Sequence, residues 1–209
     1  DRESKWRHSS RNRMFPHPSP SLTPHRHMPH QLVPVNSPDD ILPDFLETPI
    51  ESLLRYHNLA EPLPPSTGHA HLLVAMCMDH RKELVIPNEF AYVLRSAGGN
   101  LCDSEFEVAY AVAVGGVDTI ALLAHTDCGM SHVMGKRDAF IAGLVERAGW
   151  TPESAADHFD DYAHRYHIGD AVTFVLDEAA RLRALFPAVR VAALLYQVDS
   201  DRLAQVVET

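Results

Sequence analysis

Three short, nearly continuous apolar runs limit the folds open to this chain more than any other feature of its sequence. They are HLLVAMC at 71–77, TIALLAH at 119–125 and VRVAALLY at 189–196. Runs of this length without polar alternation are typical of strands buried on both faces of a sheet. Helical patterns separate the runs. This alternation of strands and helices predicts an α/β domain with a mainly parallel sheet flanked by helices.

Further elements can be placed around these runs. FAYVLR at 90–95 is a fourth candidate strand, and 203–207 is a short candidate edge strand, so the predicted sheet has four to five strands. Helical spacing of apolar residues predicts the helices. They cover 44–60, 104–114, 131–148, 153–166 and 170–185.

The beginning of the chain differs from the rest in composition. Twelve of the 15 prolines precede residue 66, and the first 31 residues carry six basic and two acidic side chains. Proline removes a backbone donor and fixes φ, so a helix or central strand is disfavoured there. We expect a disordered lead or an extended arm that lies on another surface. The predicted organisation is a Pro-, His- and Arg-rich lead at 1–40, a helix and linker at 41–65, and an α/β domain at 66–209.

Composition excludes several classes of protein. A net charge of -10 is unfavourable for general nucleic-acid binding, which needs Lys and Arg at the phosphates. No apolar run approaches the ~20 residues of a membrane-spanning helix. Three cysteines are too few for a disulfide scaffold and fit a reducing compartment, so we expect a cytoplasmic protein. An Arg- and Ser-rich, acid-poor start is also typical of an organelle transit peptide.

Three potential metal ligands follow the predicted strands. Cys77 ends one buried run, His125 ends another, and Cys128 lies three residues later, where a helix is predicted to begin. The carboxyl ends of parallel strands meet at one edge of a sheet, so these side chains are expected to converge. Two sulfurs and one imidazole suit Zn²⁺, and three protein ligands leave a fourth position open, as in catalytic zinc sites.

Asp79 and Arg81 follow Cys77 at spacings of two and four residues. In extended chain all three side chains point to the same side. Asp79 could then accept a hydrogen bond from a metal-bound water. Arg81 could hold that carboxylate through a charge-assisted contact.

Three motifs in this order carry a family resemblance. C-x-D-x-R at 77–81, R-x-A-G-G at 95–99 and H-x-x-C-G at 125–129 resemble the β-class carbonic anhydrases, over about residues 70–207. HTDCGM and LLYQVDSDRL are similar to the small bacterial branch, which also contains carbonyl sulfide and carbon disulfide hydrolases. The resemblance implies the following site residues: Cys77, His125 and Cys128 as ligands of one zinc per chain, Asp79 and Arg81 as the catalytic dyad, and Tyr92, Gly98 and Gly99 near the substrate pocket.

The resemblance also implies an activity and partners. The expected enzyme is a zinc lyase that hydrates CO2 reversibly to bicarbonate and a proton by zinc-bound hydroxide. A homodimer or higher even oligomer is expected, with residues 41–60 embracing the partner. Two alternatives stay open: a carbonyl sulfide or carbon disulfide hydrolase on the same site, and a catalytically silent zinc scaffold that binds a protein partner through the lead.

Overall fold

One six-stranded sheet with helices on both faces forms the protein, and the predicted α/β class is confirmed. The computed structural model describes residues 30–63, 65, 68–81, 84, 86–87 and 89–208. The strands are β1 His30–Pro34, β2 Leu72–Cys77, β3 Ala91–Ser96, β4 Thr119–His125, β5 Arg190–Gln197 and β6 Arg202–Glu208. The helices are α1 Pro49–Leu59, α2 Glu105–Ala113, α3 Arg137–Ala148, α4 Pro152–Tyr166 and α5 Ala171–Leu185.

The strand order is β1-β6-β5-β4-β2-β3. The four strands β5, β4, β2 and β3 are parallel, and β6 and β1 extend the sheet antiparallel. The prediction that 203–207 is an edge strand was wrong, because β1 pairs with β6 along its outer side. The remainder of the predicted lead, residues 1–29, lies outside the described residues. Pro34 at the end of β1 is compatible with an edge strand, where a missing backbone donor is tolerated.

Helix α1 covers one face of the sheet. Pro49 occupies its first turn, the hydroxyl of Thr48 accepts a hydrogen bond from the N–H of Ile50, and Ala60 ends it in the left-handed conformation. Its buried residues Ile50, Leu53 and Leu54 pack with apolar side chains of β2, β4 and β5. This apolar face is therefore satisfied within the chain, and the role of the helix toward a partner stays a prediction.

Helices α2 and α5 cover the opposite face. Their buried residues form a second apolar cluster with β2, β4 and β5. Both layers leave the carboxyl-terminal edge of the parallel strands free to carry a site, as the topology of parallel sheets predicts.

Among the described residues, no helix combines the length and the apolar character that crossing a membrane requires.

Candidate metal centre

Cys77, His125 and Cys128 converge at the carboxyl-terminal edge of the sheet. Cys77 is the last residue of β2 and His125 the last of β4, and these two strands are parallel neighbours. Cys128 directly precedes a 3-10 helix at Gly129–Lys136. The sulfur atoms and an imidazole nitrogen all lie within 4.8 Å of one another, and all three residues are buried.

The imidazole of His125 presents an unsatisfied nitrogen to the two sulfurs. Its Nδ1 lies 2.8 Å from the carbonyl oxygen of Thr126, which assigns the proton to Nδ1 and leaves a lone pair on Nε2. The ring is fully buried, and Nε2 has no hydrogen-bond partner among the described residues. Buried polar atoms nearly always have a partner. We therefore expect this nitrogen to donate its lone pair to a bound group.

The donor set fits a metal ion. The two sulfur atoms are 4.0 Å apart, about twice the ~2.05 Å of a disulfide bond. Two thiolates on one tetrahedral ion would be separated by about 3.8 Å, given metal–sulfur bonds of ~2.3 Å. The observed spacing is therefore suited to a shared metal. Ile168, Met130 and Phe174 pack around the sulfurs and keep this side of the group apolar.

Asp79 and Arg81 adjoin the group as a hydrogen-bonded pair. The guanidinium of Arg81 donates from Nη2 to Oδ2 of Asp79 at 2.8 Å and from Nε to Oδ1 at 3.1 Å. The backbone N–H of Arg81 also donates to Oδ1 at 2.9 Å. Oδ2 of Asp79 lies 4.0 Å from Nε2 of His125. The carboxylate is therefore fixed beside the three donors by its own neighbour in the chain.

Known proteins are similar to this chain in sequence and in fold. β-Carbonic anhydrase 1 of Mycobacterium tuberculosis is 34% identical over 109 residues, which cover 48% of this chain and 64% of that protein. The same protein of Mycobacterium bovis matches equally. The chain is similar in sequence to the β-carbonic anhydrases. The resemblance found in its motifs is thereby confirmed, although the chain spans only 64% of the length of these curated relatives. No family model matches it.

Solved structures show that the chain shares the fold of two carbonic anhydrases. The β-carbonic anhydrase isoform I of Trichomonas vaginalis superposes with a TM-score of 0.57 at 19% identity, covering 73% of this chain and 92% of the other. The carbonic anhydrase of Glaciozyma antarctica gives 0.54 at 23% identity, covering 69% and 84%.

Asp127 is a part of the site that the sequence analysis missed. Its carboxylate accepts from Nη1 of Arg81 at 2.6 Å, and its carbonyl accepts from Nη2 at 2.8 Å. The Arg81 guanidinium lowers the pKa of Asp127, and the two carboxylates, Asp79 first, raise the pKa of Arg81. Arg81 therefore connects the segment after β2 to the segment after β4. Asp127 adopts φ 53, a left-handed conformation that Asp tolerates better than most residues.

Arg95 is a second residue whose role was not predicted. Its Nε donates to the carbonyl of Cys77 at 3.2 Å, and its Nη2 donates to the carbonyl of Asp79 at 2.9 Å. This side chain from β3 therefore holds the backbone on both sides of Met78. The R-x-A-G-G motif marks the residue, but its acceptors are backbone atoms that leave no trace in a sequence.

The two glycines of this motif lie against the metal group. Gly98 has φ +71, and a Cβ there would lie 2.7 Å from Cγ2 of Ile168. Gly99 has φ +76, and its Cβ would lie 3.5 Å from the backbone nitrogen of Cys77. Both positions favour glycine because left-handed backbone disfavours side chains. The place of the two glycines near a substrate pocket stays a prediction.

Tyr92 lies elsewhere in this chain. It sits four residues before the end of β3, and its ring is close to Gly115, where a Cβ would lie 2.9 Å from the phenol oxygen. The tyrosine is 43% exposed. The structure therefore does not bring Tyr92 to the metal group of its own chain.

Replacing Gly98 by alanine is expected to destabilise the protein more than the same change at Gly149. Gly149 has the same φ of +71 but no atoms within 4 Å of its Cβ position. Both variants should lose about 1 kcal/mol of unfolding free energy to backbone strain. Gly98→Ala should lose a further ~1–3 kcal/mol, because its methyl overlaps Ile168. Equal losses in urea denaturation would show that the contact with Ile168 is not tight.

A cavity of about 450 Å³ opens onto the group. It is lined by His125 and Cys128, by Thr126, Ser131 and His132, and by the start of α5 among others. The space exceeds the needs of a triatomic molecule. A small substrate could therefore reach the metal group from this side.

Proposed function

We propose that this chain is a zinc-dependent carbonic anhydrase that hydrates CO2 reversibly to bicarbonate and a proton. The observation that carries the proposal is the convergence of Cys77, His125 and Cys128, with an unpaired Nε2 and a fixed carboxylate beside it. The 34% identity to β-carbonic anhydrase 1 of Mycobacterium tuberculosis supports this activity over other uses of such a group.

One zinc per chain would be held by the two thiolates and by Nε2 of His125. Zinc bound in this way would acidify a water molecule at the position that three protein ligands leave open. The hydrogen bond from Nδ1 to the Thr126 carbonyl keeps His125 in the tautomer that can bind metal. The cavity beside His125 and Cys128 would admit the substrate.

Asp79 would orient the attacking water. Arg81 donates a hydrogen bond to each oxygen of the Asp79 carboxylate. The lone pairs that remain as acceptors therefore point in a fixed direction. Asp127 holds the far side of the guanidinium and keeps Arg81 from turning away. Apolar Ile168 and Met130 near the sulfurs suit an uncharged substrate such as CO2.

Stopped-flow measurement of CO2 hydration on metal-quantified protein tests the proposal. Turnover should rise in proportion to bound zinc, vanish after chelation and return with zinc. Zinc-loaded protein that leaves CO2 untouched and hydrolyses carbonyl sulfide or carbon disulfide would replace the proposal by the alternative hydrolase. If the zinc-loaded protein is inactive toward all three substrates, the remaining alternative is a catalytically silent zinc scaffold.

A homodimer is also part of the proposed function. Helix α2 exposes Phe106 and Tyr110, and Val114 directly after it continues their four-residue spacing; the exposed fractions are 78%, 55% and 67%. Strand β3, at the end of the sheet, exposes Tyr92, whose ring lies close to Gly115 just after α2. Contiguous apolar surface of this kind is typical of subunit interfaces. We infer that a second copy of the chain covers this surface, and a dimer of dimers would follow the even assembly that the resemblance implies.

Phe106→Glu is expected to weaken the dimer by at least about 10-fold, because a central aromatic contact is worth ~2 kcal/mol or more. Sedimentation velocity across a dilution series measures this change. Leu185→Glu, at a 44% exposed leucine at the end of α5, is the matched control and should leave the dimer intact. If the dimer resists Phe106→Glu, its interface lies on another surface. If the wild-type protein is monomeric, the proposed homodimer is wrong.

The state of the cysteines supports a location. No disulfide bond joins Cys77, Cys102 and Cys128 to one another, and the proposed centre needs two of them reduced. A reducing compartment is therefore part of the proposal, and the cytoplasm is the expected one.

A further inference from the structure

Helix α3 is apolar in composition and yet buries none of its residues. Seven of its 12 residues are apolar, and none is buried. The helix packs mainly against α4, with which it forms a helical hairpin at residues 137–166. Exposed apolar surface on such a hairpin is typical of a binding site for another segment or molecule.

Four rings form an aromatic patch on this hairpin. They belong to Phe140 of α3, Trp150 of the connection, and His158 and Tyr162 of α4. The ring of His158 is stacked on Phe140 with a centroid distance of 6.2 Å, lies 5.2 Å from Trp150 edge-on, and lies 4.7 Å from Tyr162. Phe140, Trp150 and Tyr162 are each between 37% and 43% exposed. Aromatic surfaces of this type bind proline-rich segments by packing rings against pyrrolidines.

An acidic row runs beside the aromatic patch. Glu153, Asp157 and Asp161 follow one another at four-residue spacing on α4, so they lie on one face of the helix. All three are exposed, and within the described part of the chain none of them forms an ion pair. The whole hairpin carries six acidic and three basic residues. A basic occupant is therefore favoured on this surface.

The chain itself contains a segment of matching chemistry. Residues 1–29 carry six basic and two acidic side chains, a net charge of +4. They also contain prolines at positions 16, 18, 20, 24 and 29. Proline-rich and basic character in one segment complements aromatic and acidic character on one surface.

The length of the segment permits this contact. Residues 1–29 precede strand β1, which begins at His30. At ~3.1 Å per residue, 29 residues of extended chain span up to about 90 Å. A domain of about 200 residues is about 45 Å across, so the segment is long enough to reach the hairpin from His30.

We propose that the aromatic patch and the acidic row bind the basic, proline-rich residues 1–29 of the same chain. The prolines would pack on Trp150, His158 and Tyr162. Arginines of the segment would face Asp157 and Asp161. This inference is independent of the proposed enzymatic activity, since none of these residues belongs to the metal centre.

Cleavage by an arginine-specific protease tests the proposal on the full-length protein. The rates to follow are those of cleavage after Arg11, Arg13 and Arg26, identified by fragment mass. The double variant Asp157→Lys/Asp161→Lys should be cut at least about 10-fold faster than wild type, because protection depends on the bound population. Lysine adds no site for this protease. Asp44→Lys/Asp199→Lys places the same charge change on exposed residues outside the hairpin and should leave the rates unchanged.

A second variant separates the aromatic contact from the charge effect. Tyr162→Ala should also accelerate cleavage, and Tyr162→Phe should restore protection because it keeps the ring. Excess synthetic peptide with the sequence of residues 11–24 should compete for the patch and raise the rate in wild type. Equal rates in wild type and in all variants would overturn the proposal. Protection that disappears on dilution would also overturn it, because the occupant would then come from a second copy.

Discussion

Replacement of Cys128 by serine is expected to remove stoichiometric zinc and to reduce CO2 hydration to the background rate. The sulfur of Cys128 lies 4.0 Å from that of Cys77 in a buried group, and serine oxygen is a harder and weaker ligand for zinc. Loss of a residue that only orients a ligand already costs about 10–100-fold in metal affinity or activity. Loss of the ligand itself should exceed this range. Zinc per chain by mass spectrometry and turnover by stopped flow measure both effects.

The chain offers a matched control at its third cysteine. Cys102 is exposed and lies outside the group that could hold a metal. Cys102→Ser should therefore keep about one zinc per chain and the wild-type turnover. A Cys128→Ser protein with full zinc and full activity would contradict the assignment of this centre. Equal damage in both variants would show a general sensitivity of the fold rather than a ligand.

Replacement of Asp79 by alanine should separate zinc binding from turnover. The carboxylate lies beside Nε2 of His125 but is held by Arg81, so its removal takes away an oriented acceptor and leaves the three donors in place. Zinc should stay near one per chain, while turnover should fall by about 10–100-fold. Arg81 keeps its second acceptor, Asp127, and the local structure should survive.

The isosteric change Asp79→Asn refines this result. Asparagine keeps the shape of the side chain but loses the charge and one acceptor oxygen. It should therefore resemble Asp79→Ala in turnover, while Asp199→Ala at an exposed turn should resemble wild type. Unchanged turnover in Asp79→Ala would remove Asp79 from the mechanism. Loss of zinc in parallel with turnover would assign it a structural role instead.

The parallel part of the fold could be predicted because its signal is local. Strands β2 and β4 are buried along their whole length, so their apolar runs have no polar interruption, and the observed bounds of β4 match those predicted. Strand β1 could not be predicted in the same way. Its five residues end in Pro34 and become a strand through pairing with β6, about 170 residues later in the chain. Pairing over this distance leaves no pattern within either segment, and the position of β6 inside the sheet was missed for the same reason.

The convergence of the three candidate ligands could be predicted because the sheet topology determines it. Cys77 and His125 meet because each ends a parallel strand, and Cys128 follows within one turn. Asp127 and Arg95 were missed because their importance arises from tertiary contacts with Arg81 and with backbone carbonyls. Tyr92 illustrates the opposite case. The strand register places this residue near Gly115, away from the carboxyl end of the sheet in its own chain, and its place near a substrate pocket stays a prediction.

X-ray absorption at the zinc edge, on protein that contains one zinc per chain, tests the central claim most directly. Two sulfur neighbours together with one imidazole nitrogen and one further light atom are the result that Cys77, Cys128 and His125 predict. Cys77→Ser should reduce the sulfur count or abolish binding. A shell of nitrogen and oxygen alone would contradict the proposed centre, because it would place the zinc away from the two buried cysteines.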